Sequence, residues 1–468
     1  MNDSPHTHPK NPLAPGDSLI RVDAGALADE RGVLASPASL LLAVHAPDPA
    51  PGPDGAILAQ DITLLTAGRP QDLPQHTPDL VLDRSGQLLL PPLVNAHTHL
   101  DLTHIGPLAH DPDAGFVPWV DQIRERRLLD DDAIARSVRQ GAELLIRGGT
   151  AAVGDIAGAP AGRPSLTPWR TLRQTPLAGT SFLEFFGIGL TETSARDALD
   201  DLLRARRDEI TAPHRVRFGL QPHAPNTVAI RLYTWAAQRA RELGLPLSTH
   251  LSETPEELEF IAHATGPQRE LLERLGVWSD DIDVGRGQHP IEHLRPFFEA
   301  CASHRPPPIV AHVNDLGPHA ALLARAGVSV AYCPRASAYF GAERHFGPHP
   351  YRRLLDEGVN VCLGTDSIVN LPPQTSLGPE ARISVLDEMR LLYRRDATPP
   401  ALLLAMGTTH GARALGLDAY AFRFSHPGDA PRSIAGLIAV PALGEDPLAD
   451  MLRRDDRPRA LMLRILAR

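Results

Sequence analysis

Lysine is nearly missing from this chain: Lys10 is the only one among 46 lysine and arginine residues in a sequence of 468. A lysine nucleophile, a Schiff base or a carbamylated lysine inside the fold is therefore excluded. Cysteine is scarce too. Cys301, Cys333 and Cys362 form no Cys-x-x-Cys pair and cannot all pair with one another, so a reducing, cytoplasmic compartment is expected. No apolar run reaches 18 residues, so no membrane-spanning helix is expected. The first residues lack a basic stretch followed by an apolar one, which gives no sign of a signal peptide. Positive charge is not in excess: the formal net charge of −10 argues against nucleic acid as a partner.

Proline is abundant, with 46 residues at about twice the usual share, and hydrophobic residues make up 43%, enough for a sizeable core. Residues 1–15, rich in Pro, His, Asn and Asp, are expected to form a mobile tail. Residues 39–44, 56–66 and 80–90 alternate polar and apolar side chains between turn residues and read as strands, as do 436–441 and 460–465. Residues 16–90 and 420–468 are thus expected to build one small β-sandwich from both chain ends. Over 91–419 the pattern changes. Apolar strand candidates at 93–95, 151–156, 179–185, 215–220, 246–249, 309–311, 328–332 and 360–363 alternate with helical patterns at 117–147, 195–210, 230–243, 255–275 and 378–395. Eight βα units over about 320 residues fit an α/β fold of the (β/α)8 barrel type. A doubly wound sheet would need a glycine-rich phosphate loop after its first strand. Here that strand runs into His97-Thr98-His99 instead.

Barrel enzymes carry their chemistry at the C-terminal ends of strands, and polar groups collect there. Alternate residues of an extended chain point the same way, so His97 and His99 can aim at one ion. His250 and Glu253 follow strand five, His312 follows strand six, and Asp366 follows strand eight in Gly364-Thr365-Asp366-Ser367. Three imidazoles and a carboxylate suit one divalent ion, zinc first and iron second, with a position left for water. Each residue also has an ordinary reading. A His-x-His pair arises by chance among 21 histidines, as His6 and His8 show, and Asp366 suits a turn or an N-cap.

The ordered set resembles the amidohydrolase superfamily, in its mononuclear deaminase and chlorohydrolase branch. Pro222-His223-Ala224-Pro225, His250-Leu251-Ser252-Glu253-Thr254, Thr365-Asp366-Ser367 and Glu388-Met389-Arg390 are similar to methylthioadenosine, S-adenosylhomocysteine and aminodeoxyfutalosine deaminases. Tyr332-Cys333-Pro334-Arg335 followed by Ala338-Tyr339-Phe340-Gly341 looks like the aminodeoxyfutalosine-deaminase-like subset. The resemblance implies that His97, His99, His250 and Asp366 hold the metal, that Glu253 is the general acid/base, and that His312 and Asp366 assist near the leaving group. It implies that His223 contacts a small-molecule substrate, and that ammonia is released from an aminated purine nucleoside or related heterocycle. Hydrolysis of another C–N or C–halogen bond, or a silent barrel serving protein assembly, are the alternatives, and a homodimer is allowed. Arg335 reads either as a partner for a substrate carboxylate or as the neutraliser of a local acid. Trp119 belongs to an apolar lid over the substrate or to a helix start packed on the barrel. Asp155 and Glu184, at the ends of strands two and three, read as pocket residues or as buried ion-pair partners.

Overall fold

The computed structural model describes residues 16–46, 52–74, 76–424, 431–442 and 444–464. The expected mobile tail at 1–15 lies outside them, as does the last residue of the expected strand 460–465.

Eight parallel strands form the barrel: β1 (Leu93–Thr98), β2 (Thr150–Ala157), β3 (Ala178–Phe185), β4 (Val216–Pro222), β5 (Ser248–Leu251), β6 (Ile309–His312), β7 (Ser329–Tyr332) and β8 (Asn360–Leu363). Nearly every residue in them is buried, as strands covered on both faces require. The ladders run β4-β3-β2-β1 and β5-β6-β7-β8. Two seams join the halves. Leu220 on β4 bridges Leu247 just before β5, and Thr98 on β1 bridges Asp366 just past β8. At the second seam Asn95 donates to Thr365 Oγ1 at 2.7 Å, and the Thr365 amide donates to His97 O at 3.0 Å. The barrel therefore closes through the residues expected to carry chemistry.

The helical pattern at 230–243 is one helix, Ile230–Leu243, and that at 195–210 falls on Glu192–Ala205 and Arg207–Thr211; the other three break or shorten. The pattern at 117–147 divides into α1 (Phe116–Arg126) and α2 (Asp131–Arg147), because Asp130 caps α2 by accepting from the Ala133 amide. The pattern at 255–275 divides at Gly266-Pro267 into α3 (Pro255–His263) and α4 (Pro267–Arg274), a helix stop followed by a helix start. The pattern at 378–395 shortens to α5 (Val385–Asp396), capped by Ser384.

Nine strands from both chain ends form the second sheet. It includes Ser18–Asp29, a 12-residue strand not picked out from the sequence, in which Ile20-Arg21-Val22-Asp23-Ala24 alternates before a mostly apolar run to Ala28. The expected strand 56–66 is two strands, Ile57–Ala59 and Asp61–Gly68. Arg464, on the strand Arg459–Arg464, approaches Asp61 to 3.5 Å although four other strands separate them in the sheet order, so the sheet curls on itself. Val22, Leu40, Leu42, Ile62, Leu64, Leu437 and Met462 are packed inside the curl.

Candidate metal centre

β1 delivers His97 with 0% exposure, and His99 follows directly past its end. β5 delivers His250 and β6 delivers His312, while Asp366 arrives from the β8 seam. Asp366 Oδ1 lies 3.6 Å from both His97 Nε2 and His99 Nε2, and His99 Nε2 lies 3.3 Å from His250 Nε2. Donor atoms of His97, His250 and His312 form a second close group. Separations of this size match the edge of a tetrahedron with bonds of about 2.1 Å, which is about 3.4 Å.

The proton inventory points the same way. His250 Nδ1 donates to the His223 carbonyl at 3.0 Å, so its lone pair sits on Nε2, facing His99. Among the described residues, His97 Nδ1 and Nε2, His99 Nδ1 and His312 Nε2 are buried without a hydrogen-bond partner. Of these, His97 Nε2 faces Asp366 Oδ1, and a cation held between them gives that nitrogen a partner. Burial drives His99 and His250 well below the usual imidazole range and brings His312 to about 3. These rings are neutral at pH 7, the form that binds metal. Burial pushes the Asp366 carboxyl upward, yet the surrounding His97, His99 and His312 outweigh it and hold the group ionised, below the usual carboxylate range.

Glu253 sits past β5 with Oε1 3.4 Å from His312 Nε2. Burial first, and then Asp366 and Glu257, raise its pKa well above the ordinary value. Its backbone is held by Glu257, whose two carboxylate oxygens accept from the amides of Ser252 and Glu253 at 2.8 Å each. Glu257 was not singled out from the sequence, though Thr254-Pro255-Glu256-Glu257 carries the capping-box pattern at the start of α3; the Thr254 side chain accepts from the Glu257 amide, while the Glu257 carboxylate turns to Ser252 and Glu253 instead. The backbone here is strained. Ser252, His312, Val313 and Asp366 all have φ between 52° and 72°, half of the eight non-glycine residues with positive φ among those described. Such conformations cost about 1–3 kcal/mol each and persist where the surroundings over-determine them, commonly at functional sites.

A cavity of about 910 Å³ opens over this cluster. His99, His223, His250, Glu253 and Asp366 form its floor, and Phe116, Trp119, Phe186 and Leu271 are among its apolar walls. Trp119 lies in the first turn of α1, packs on Phe116 and Phe340, and lines the cavity. His223 Nδ1 donates to Thr227 Oγ1 at 2.7 Å, which leaves its Nε2 as an acceptor. Arg335 is elsewhere. It bonds Glu388 through Nε at 2.5 Å and through its amide at 2.9 Å, and it does not line the cavity. A guanidinium spent on a fully buried carboxylate has no fork left for a substrate carboxylate, so that expectation is corrected to the local-acid reading.

Glu184 is buried against Arg127, 3.8 Å away, and Arg127 also reaches Asp101 at 3.3 Å. Asp155 makes no ion pair in this cluster: it accepts from the Leu100 amide at 3.2 Å and the Ser181 hydroxyl at 2.7 Å. Arg127 and Asp101 were missed because nothing in a run of arginines marks which one turns inward.

Residues 88–421 match the amidohydrolase family. The aminodeoxyfutalosine deaminase of Deinococcus radiodurans is 30% identical over 339 residues, covering 69% of this chain and 73% of that protein. The 5-methylthioadenosine/S-adenosylhomocysteine deaminase of Pyrococcus furiosus is 27% identical over 72% of this chain and 73% of its own length. Among solved structures, a zinc-bound adenosine deaminase from Xanthomonas campestris superposes with a TM-score of 0.66 at 19% identity, over 96% of this chain and 94% of its own, a likeness of fold.

Proposed function

The chain belongs to the amidohydrolase family and is a hydrolase of carbon–nitrogen bonds, and on that premise we propose that it releases ammonia from an aminated purine nucleoside or a closely related heterocycle. The observation that carries the reading is the convergence of His97, His99, His250, His312 and Asp366 on one cluster beside Glu253, of which His99, His250, Glu253 and Asp366 line one cavity. Relatives named for deamination of aminodeoxyfutalosine and of methylthioadenosine support a nucleoside-like substrate.

His97, His99, His250 and Asp366 would hold a divalent cation, zinc by the chemistry of the donor set. Bound there, such a cation supplies Lewis-acid activation of water near neutral pH. Glu253 accepts the proton of the attacking water on its carboxylate and returns it to the ring nitrogen beside the amidine carbon. That nitrogen must gain a proton as the carbon becomes tetrahedral. Its raised pKa makes Glu253 a competent acid as well as a base. The second proton of the water, now on the hydroxyl of the tetrahedral carbon, passes to the amine as the C–N bond breaks and ammonia leaves, with His312 and Asp366 flanking the transfer, and the neutral His223 offers an acceptor to the substrate.

The test combines metal analysis with an ammonia-release screen over adenosine, methylthioadenosine, S-adenosylhomocysteine, aminodeoxyfutalosine, guanine and cytosine. One metal per chain and ammonia from a member of the set are expected. Full metal occupancy with chloride or a ring-opened product as the only outcome, in parallel assays of such substrates, would move the reading to another bond. Lack of metal together with a stable complex with another protein would move it to a silent barrel.

A further inference from the structure

His349 lies outside every motif that marks the site, on the short connection before the helix Tyr351–Asp356. Its side chain is nevertheless buried and ends on the metal centre's backbone: Nε2 donates to the carbonyl of His312 at 2.8 Å. That carbonyl belongs to a strained turn, because His312 has φ 72° and the β-branched Val313 has φ 55°. Partners beyond the turn fix its other side. The amides of Val313 and Asn314 donate to Leu251 and Ser252 on the β5 side, each at 2.9 Å, and Asn314 Nδ2 reaches Glu253 O at 2.9 Å. The carbonyl between the two strained residues is held from the opposite direction by His349.

The imidazole is itself rigidly placed. It stacks on Tyr332, with ring centroids 3.6 Å apart and planes 11° from parallel. The Tyr332 hydroxyl accepts from Arg395 at 3.0 Å, and Arg395 pairs with Asp396 at 2.6 Å. Bonding to a carbonyl requires a proton on Nε2, and Nδ1 has no hydrogen-bond partner among the described residues, which fits the neutral Nε2–H tautomer. A chain of contacts thus runs from α5 through Tyr332 and His349 to the backbone that aims His312 at Glu253. We propose that His349 is a positioning residue, holding the His312 turn in the orientation that keeps His312 Nε2 over the reacting centre. The proposal rests on the deaminase reading, in which His312 acts beside the leaving amine.

The test is a trio of proteins, each loaded with metal: the unmodified chain, His349→Phe and His349→Gln. Phenylalanine keeps the stack on Tyr332 and removes the donor, while glutamine restores an N–H at similar reach. His349→Phe is expected to lower kcat about 10–100-fold, the usual range for a residue behind a metal site, with KM within about twofold and metal content unchanged. His349→Gln is expected to recover most of kcat. Should phenylalanine prevent folding, His349→Leu serves the same comparison. Unchanged kcat in the donorless variant, or an equal loss in both variants, would overturn the proposal, because the first denies any role and the second indicates packing. The cobalt-substituted proteins give a readout independent of turnover: the visible absorption of His349→Phe is expected to differ from that of the unmodified chain and to be restored in His349→Gln. If the unmodified chain releases no ammonia at all, the deaminase reading fails, and the cobalt spectra alone then decide whether His349 shapes the site, identical spectra counting against it.

Discussion

A carboxyl that must take a proton and give it back needs an environment that tolerates both states, and the surroundings of Glu253 provide one. Burial and the neighbouring acids favour the protonated form, while the amides held by Glu257 fix the backbone. Glu253→Gln keeps the size and removes the proton exchange. Turnover is expected to fall by about 10²–10⁴-fold with one metal per chain still present, checked by ammonia release alongside elemental analysis. Asp155 allows a pH test away from the reacting groups. Burial raises its carboxyl to about 7, against about 3.9 in an unfolded chain. The native state binds that proton more tightly, so the contribution to stability is full below about pH 4 and is lost as pH rises through about 7. Asp155→Asn retains an acceptor for Leu100 and removes the titration. The Tm of the variant is therefore expected to gain on that of the unmodified chain between about pH 4 and pH 8; parallel Tm curves would assign the titration elsewhere. At this scale the sequence reveals the residues that point at the centre, because a His-x-His on a strand and a Thr-Asp-Ser after one are local patterns. Glu257 has a local signature as well. Arg127, Asp101 and His349 have none, since the partners that place them are 17 to 57 residues away in sequence.

Elements place the site by close approach. β2 crosses β1 so tightly at Gly154 that a Cβ there would meet the Ala96 carbonyl oxygen at 2.3 Å, one residue before His97. Backbone cannot swing aside as a long side chain can. Gly154→Ala is expected to destabilise the fold by about 1–3 kcal/mol and to weaken metal retention, read by thermal unfolding and by metal content after dialysis. α1 makes a second case. Its C-cap residue Arg127 inserts between Asp101 and Glu184, tying the helix that carries Trp119 to β3. Arg127→Met would strand two buried carboxylates, and a loss of about 3–5 kcal/mol is expected in a denaturant titration. The strands of the barrel were legible to within about two residues at most ends, because apolar runs between turns mark them directly. Among the helices only 230–243 was legible at both ends; elsewhere amphipathic periodicity continues across breaks that only a cap such as Asp130 or a Gly-Pro step such as Gly266-Pro267 reveals.

At the scale of the whole molecule, the described residues on both sides of the barrel segment meet in one curled sheet. Pairing between residues near 20–90 and 436–464 was readable only as similar alternation at both ends, and the strand Ser18–Asp29, whose alternation is confined to 20–24, was not picked out. The near-absence of lysine also finds its place at this scale. Lysine does not occur among the described residues, so none of them adds a carbamylated lysine to the cluster of imidazoles and Asp366. A cation bound only by the folded chain stabilises it by mass action, so removal of metal with a chelator is expected to lower Tm, with recovery on adding zinc. The central claim is tested most directly by measuring ammonia released per bound metal when the metal-replete chain and its Glu253→Gln variant are each given the aminated purine nucleosides. Sustained ammonia release from the unmodified chain, nearly abolished in the variant at equal metal content, is the expected result. Equal ammonia release from the two proteins would contradict the account.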